Sequence, residues 1–299
     1  MKQWKLGLIA ACCSGSLYAA PMAVVASFSI LGDVTQQIGG ERVKVTTLVG
    51  ADQDAHAYHM TAGDVQKIRA AKLVLLNGLG LEKAEFKRAV EQNKIPYAAV
   101  SDGVSTLKMT EEHDNHHSDH KGHNHSDLDP HVWHDPLRMF TYAANVANAL
   151  IKVDPQGKAY YLQRLNTYHG ELKNLHIYAS QQFNAVPKST RKVLTGHGAF
   201  GYMGKRYDIQ FIAPQGLNTE AEPSARAVAA IIRQIRQEGI KAVFVENIKD
   251  DRMVKRIAAE TGIKVQGKLY SDALSQKGEG KTYLDMYRYN VRVLSAAMK

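Results

Sequence analysis

The sequence predicts an α/β protein built of two α/β lobes with mainly parallel sheets and one long helix between them. Three observations carry this. In the N-terminal half, short apolar β-branched runs alternate with helical segments, the pattern of βα units around a parallel sheet. The same alternation resumes after Pro187. Between the two regions, Tyr161, Leu165, Tyr168, Leu172, Leu175 and Tyr178 recur at helical spacing and form one continuous apolar face.

The elements follow in order. "AVVASFSIL" (23–31) reads as a buried strand and "DVTQQIGG" (33–40) as a helix closed by glycine. Strand 43–50, helix 62–71, strand 72–78 and strand 97–101 complete the first lobe's sheet. Residues 110–127 have no periodicity and no apolar anchor and read as a loop. A helix over 136–152 starts with Asp135 as N-cap and Pro136 at the first helical position. The striped helix runs over 155–184 and reaches ~45 Å, longer than a small domain is wide. It is a candidate connecting strut, and equally an ordinary packing helix. Strands 192–198, 208–214, 241–247 and 264–270 then alternate with helices 223–239 and 251–262, the first of which starts with proline and ends in glycine. A long helix, 283–298, closes the chain. The organisation is a leader at 1–20, an N-terminal lobe at 21–154, a connecting helix at 155–184 and a C-terminal lobe at 185–299.

The leader is a targeting signal. Lys2 and Lys5 precede a short apolar run that ends in small residues near Ala19 and Ala20. The run is too short to span ~30 Å of hydrocarbon, so no integral span is expected in the mature chain. "IAAC" (9–12) offers lipidation at Cys12 as the minor alternative, and a periplasmic protein is the main one. Both cysteines, Cys12 and Cys13, lie in the leader. The mature chain then has no disulfide, no thiolate ligand and no cysteine nucleophile. An apolar fraction of 44% and interspersed charges exclude wholesale disorder. The net charge of +9 is spread along helices without a dense basic block, so nucleic acid is not an expected partner. A monomer is the default state.

Eight of the thirteen histidines fall in "EEHDNHHSDHKGHNHSDLDPHVWHDP", residues 111–136. His113, His116, His117, His120, His123 and His125 sit among polar residues. On a mobile tether such imidazoles catch Zn²⁺ or Ni²⁺ weakly, because ordering the loop opposes binding. Four further residues sit beside strand ends, where open parallel sheets bind ligands: His56, His131, His197 and Asp272. Three imidazoles and a carboxylate suit Zn²⁺, with Mn²⁺ or Fe²⁺ as alternatives. Four protein ligands leave little room for water, which favours holding a metal over using it. Spacing alone does not choose this set, since His59 and His134 each lie three residues from a candidate, and Asp272 also reads as a helix N-cap. His169 and His176, on the long helix, read as surface residues.

The phrases "ASFSILGD", "VGADQDAHAY", "DPHVWHDP", "GHGAFGYMGKRYDI", "GLNTEAEPSA", "AVFVEN" and "LYSDALS" occur in this order across nearly the whole mature chain. The chain thereby resembles the solute-binding proteins of metal-ion ABC importers, the zinc/manganese family called cluster A-I or cluster 9. The resemblance implies two lobes joined by one long rigid helix and a metal held between them by His56, His131, His197 and Asp272. It implies a high-affinity binding protein, not an enzyme, that delivers its ion to an ABC permease in the membrane. A histidine at the third ligand position, His197, points to zinc over manganese, and the histidine-rich loop is a feature of the zinc members. One departure is that the family carries prolines where this chain has Met60 and Ala62, with Asp64 left to cap the next helix. "TEAEPSA" (219–225) is a family signature read as support for a helix start. The rival readings are a manganese or iron binder, a zinc hydrolase with an open coordination position, and a buffer acting through the loop.

Overall fold

A computed structural model describes residues 20–108, 128–248 and 250–299. In the first lobe, β1 (Met22–Phe28) is followed by α1 (Ser29–Gly39), β2 (Val43–Val49), α2 (Ala62–Ala70), β3 (Leu73–Leu76), α3 (Ala84–Gln92) and β4 (Tyr97–Ala99). The strands form one parallel sheet in the order β2-β1-β3-β4. β1 and β3 are apolar and buried over most of their length, as central parallel strands covered on both faces must be.

α4 (Met139–Val153) and the 27-residue α5 (Lys158–Asn184) lead into the second lobe. There β5 (Lys192–Leu194), α6 (Gly201–Tyr207), β6 (Gln210–Ile212), α7 (Ala225–Glu238), β7 (Ala242–Glu246), α8 (Arg252–Thr261) and β8 (Val265–Leu269) precede the closing α9 (Tyr283–Ala297). This sheet is also parallel, in the order β6-β5-β7-β8. The two lobes therefore share one strand order, with the same switch between first and third strands.

The expected fold class is the observed one, but several local expectations need correction. The first strand ends at Phe28, and Ser29, Ile30 and Leu31 already belong to α1. An unbroken apolar run hid that boundary. α3 and α6 are additional to the expected elements; α6 begins within the glycine-rich "GHGAFGYMG" and runs on to Tyr207. The N-cap of α2 is Thr61, not Asp64. Thr61 Oγ1 accepts from Asp64 N at 3.2 Å while the Asp64 carboxylate accepts from Thr61 N at 2.9 Å, a reciprocal capping box. α7 is capped by Ser224, so Pro223 stands before the cap and not at the first helical position. α4 begins at Met139; Asp135 caps the preceding turn by accepting from Leu137 N at 3.0 Å.

α5, at ~40 Å, is packed along its length. Its buried face comprises Tyr161, Tyr168, Leu172, Leu175, Ala179 and Phe183. These residues lie in one apolar core with Val24, Phe28 and Trp133 of the first lobe and Val193, Phe200 and Phe244 of the second. Each lobe has a satellite core on its outer sheet face, around Ile68, Val74 and Phe86 in the first and Ile232, Val243 and Ile257 in the second. The long helix is therefore at once the connection and a wall of a core that both lobes share. His169 and His176 are half-buried on it and not surface residues: His169 stacks on Phe140, and His176 lies 3.2 Å from the Tyr207 hydroxyl.

Candidate metal centre

The cleft between the lobes is lined by the carboxyl ends of the strands, where parallel sheets leave their loops free to carry side chains. The loop after β2 turns on Asp54, whose Oδ1 accepts from His56 N at 2.9 Å and Ala57 N at 3.3 Å. This turn points His56 into the cleft. His131 opens the buried 3₁₀ turn Val132–His134. Asp129 sets it twice, accepting from the His131 backbone at 2.9 Å and from Nδ1 at 2.7 Å.

In the second lobe, His197 follows β5. Glu246, the last residue of β7, accepts a hydrogen bond from its Nδ1 at 2.5 Å and from the backbone of Gly196 at 2.7 Å and of His197 at 3.0 Å. The same carboxylate accepts from the Ser271 hydroxyl at 3.0 Å, fixing the residue before Asp272. Two glycines make room for these carboxylates. A Cβ at Gly196 would come within 3.0 Å of Glu246 Oε1, and one at Gly201 within 2.9 Å of Asp129 Oδ2.

Four side chains from four loops thus converge. His56 Nε2 lies 3.1 Å from His131 Nε2 and 3.3 Å from Asp272 Oδ2. His197 Nε2 lies 3.0 Å from Asp272 Oδ2, and His131 Nε2 lies 3.7 Å from Asp272 Oδ1. All four ligand-capable atoms lie within 4.8 Å of one another, and all four residues are buried. The ligand–ligand edge of a tetrahedron with bonds of about 2.0–2.1 Å is ~3.3 Å. The pairs at 3.0, 3.1, 3.3 and 3.7 Å are close to that edge, and the cluster, up to 4.8 Å across, reaches it by side-chain adjustment without a change of fold. Asp272 Oδ1 is buried and without a hydrogen-bond partner, which is costly for a carboxylate unless a cation completes it. With Nδ1 of His131 and His197 facing carboxylates, Nε2 of each is the ring nitrogen left to face the cluster and available to a metal.

The electrostatics agree. Burial alone would lower the His131 pKa, but Asp272 and Asp129 outweigh it and raise it to about 9. Burial is likewise overcome at His197, where Glu246 and Asp272 hold the pKa well above the usual value. Asp272 is held well below the carboxylate range, because His197 and His131 outweigh its own burial. In the ion-free cleft, protons on imidazoles supply the positive charge that a divalent cation would bring.

The two alternatives that spacing left open lie elsewhere. His59 is exposed at the rim, with Nε2 3.0 Å from Lys83 Nζ and Nδ1 3.8 Å from Glu85. His134 is buried, but its ring packs on Phe200 with centroids 4.4 Å apart, and burial lowers its pKa to about 3. Asp272 is not a helix N-cap; its carboxylate belongs to the cluster. The six loop histidines His113, His116, His117, His120, His123 and His125 lie outside the described residues, as do residues 1–19 of the leader.

Sequence reasoning did not name Asp129, Glu246, Asp54 or Trp133 as supports. Asp129 was findable, since it sits two residues before His131. Trp133 Nε1 donates to Ser271 O at 2.8 Å, linking the lobes beside Asp272, and nothing in the order of residues signals that. Among the described residues no helix is long and apolar enough to cross a membrane.

Residues 24–297 match the family model described as ZnuA, zinc-uptake complex component A, periplasmic. Curated relatives include the metal ABC transporter substrate-binding lipoprotein SsaB of Streptococcus sanguinis, 32% identical and covering 92% of this chain and 88% of its own. The manganese ABC transporter substrate-binding lipoprotein PsaA of Streptococcus pneumoniae is 30% identical, covering 95% of this chain and 92% of its own. Among solved structures, the periplasmic zinc-binding protein TroA of Treponema pallidum superposes with a TM-score of 0.83 at 26% identity, covering 93% of this chain and 99% of that one. An Mn-bound periplasmic metal-binding protein of Candidatus Liberibacter asiaticus superposes with a TM-score of 0.80 at 28% identity, covering 93% and 100%.

Proposed function

This chain belongs to the family of the periplasmic zinc-uptake component A, and from that premise we propose that it captures Zn²⁺ between its lobes for delivery to an ABC permease. It is a metal ABC transporter substrate-binding protein, and the family is one of binding components, not enzymes. The proposed ligands are His56, His131, His197 and Asp272. The observation that carries this reading is their convergence within 4.8 Å, with a buried carboxylate oxygen that has no hydrogen-bond partner. Four protein ligands fill the coordination of zinc and leave no position for a reacting water, as suits a carried ion. Three nitrogen donors favour zinc over the harder manganese ion.

Manganese is the second reading, supported by the names of the manganese-transporter relatives and by the Mn-bound structural neighbour. We place the protein in the periplasm, exported by the leader; the relatives described as lipoproteins lend weight to an anchor at Cys12. The boundaries 21–154, 155–184 and 185–299 are our division of the chain. Residues 113–125 act as an auxiliary trap in this reading. The shared core along α5 supports small rocking motions over a wide hinge.

The test is a calorimetric titration of Zn²⁺, then Mn²⁺, into metal-stripped protein lacking residues 113–125. One tight zinc equivalent with much weaker manganese is expected. Manganese bound as tightly as zinc would select the second reading, and no tight binding of either would move the metal to the loop.

A further inference from the structure

His131 and His197 are aimed by carboxylates of their own lobes. His131 also sits in a turn whose carbonyls, at Trp133 and His134, accept from the buried hydroxyls of Tyr283 and Tyr287 on α9, a helix that packs against α1 and α5 in the core both lobes share and not on the cleft loops. It cannot leave without disturbing the core. His56 is placed differently. Its loop carries exposed residues on both sides of it, Asp52, Gln53, Ala57 and His59, and it is fastened across the cleft to the opposite lobe.

Two aspartates do the fastening. Asp54 uses Oδ1 to form the turn that aims His56, and Oδ2 accepts from the Thr219 hydroxyl of the second lobe at 2.6 Å. Asp52 makes four contacts with the second lobe. Its backbone N–H donates to Leu274 O at 2.8 Å, and Oδ1 accepts from Asn247 Nδ2 at 3.0 Å. Oδ2 accepts from Ser275 Oγ at 3.2 Å and Gln276 N at 3.1 Å. Asn247 follows Glu246, the support of His197, and residues 274–276 follow Asp272. The loop that carries the first ligand is thus tied to the segments that carry the other lobe's two. Asp52 is also in the left-handed region, at φ 59°. A non-glycine residue stays there only while its surroundings hold it.

We propose that Asp52 and Asp54 are positioning residues that clasp the His56 loop to the second lobe, so that His56 is the ligand that leaves first when the lobes part and the clasp sets the rate of metal release. This rests on reading His56, His131, His197 and Asp272 as the zinc ligands. Parting of the lobes breaks five hydrogen bonds that hold the loop, frees its turn, and withdraws one imidazole while His131, His197 and Asp272 keep their own supports. Release is then stepwise, through a three-ligand state.

The experiment is stopped-flow transfer of Zn²⁺ from the full chain to excess chelator. Asp52→Ala and Thr219→Val are each expected to raise the dissociation rate about tenfold with little change in association, in keeping with the loss of hydrogen bonds made only in the closed state. Thr219→Ser, which keeps the hydroxyl, restores the slow rate. Each substitution is then repeated in a His56→Ala background. There the clasp has no ligand to hold, and the same changes alter the rate by less than about twofold. An unchanged rate in Asp52→Ala and Thr219→Val overturns the proposal. So does an equal increase in the His56→Ala background, which would mean that the bonds only hold the lobes together. Where Asp52→Ala melts early, Asp52→Asn replaces it. His131→Ala, run alongside, separates the two ideas: if it keeps tight zinc, the site assignment fails, and if it loses zinc while the clasp variants behave as wild type, only the clasp fails.

Discussion

The two lobes share a strand order and a parallel sheet, yet they prepare their halves of the site by different means. The first lobe supplies two imidazoles, and each is aimed from nearby in sequence: His56 by Asp54, His131 by Asp129. The second lobe supplies an imidazole and a carboxylate, and both are referred to one buried group, Glu246, which lies 49 residues from His197 and 25 from Ser271. A local support is cheap in chain entropy but serves one ligand. A distant support on a central strand serves two, and its loss propagates further.

The largest effect that sharpens this contrast comes from the proposed ligands. His131→Ala and Asp272→Ala are expected to weaken zinc more than the 10–100-fold typical of an outer partner, in a chelator competition assay, while far-UV dichroism stays native. Collapse of the dichroism in His131→Ala would contradict an imidazole that serves the site and is not needed to hold the fold.

Next comes the direct comparison of supports. Glu246→Gln should cost about 100-fold in affinity and Asp129→Asn about tenfold, because the glutamate accepts four hydrogen bonds that position two ligands. Equal losses would break the asymmetry.

A smaller effect follows from protons. His131 has its pKa raised from 6.5 to about 9, so the ion-free protein carries that proton at neutral pH. A metal ion bound at that imidazole, as proposed, displaces it. Titration at pH 7 in buffers of different ionisation enthalpy should show proton release, and affinity should fall as pH falls. The linkage for stability runs the other way. A raised folded pKa stabilises fully below the unfolded value of 6.5 and loses that contribution as pH rises through about 9. The melting temperature of the ion-free protein should therefore decline between pH 6.5 and 9, and the zinc-loaded protein should not follow it.

The smallest expected change is Gly201→Ala, whose Cβ would press on Asp129 Oδ2. A few-fold loss of affinity with an unchanged melting temperature would mark an effect on the support alone.

Much of this protein is determined by its sequence. β-branched runs between helical segments dictate the two parallel sheets, since buried strands must be apolar on both faces. The stripe from Tyr161 to Tyr178 dictates a long amphipathic helix. The position of His56, His197 and Asp272 after strands, and of His131 before a helix, marks them as candidates, because loops at that edge are free of ladder bonds. Local order also spells the caps: Thr61 and Asp64 form a capping box, and Ser224 after Pro223 caps α7. What order along the chain does not contain is distance across the fold. That His59 and His134 point elsewhere, that Glu246 serves His197 and Ser271 together, and that Asp52 reaches Asn247 and Ser275 are decided only when the loops at the carboxyl ends of the two sheets meet across the cleft. The number of possible partners for a buried imidazole is large in sequence and collapses to a few once packing brings four loops within hydrogen-bond range. The lobes arise from local pattern, and the site arises from their juxtaposition.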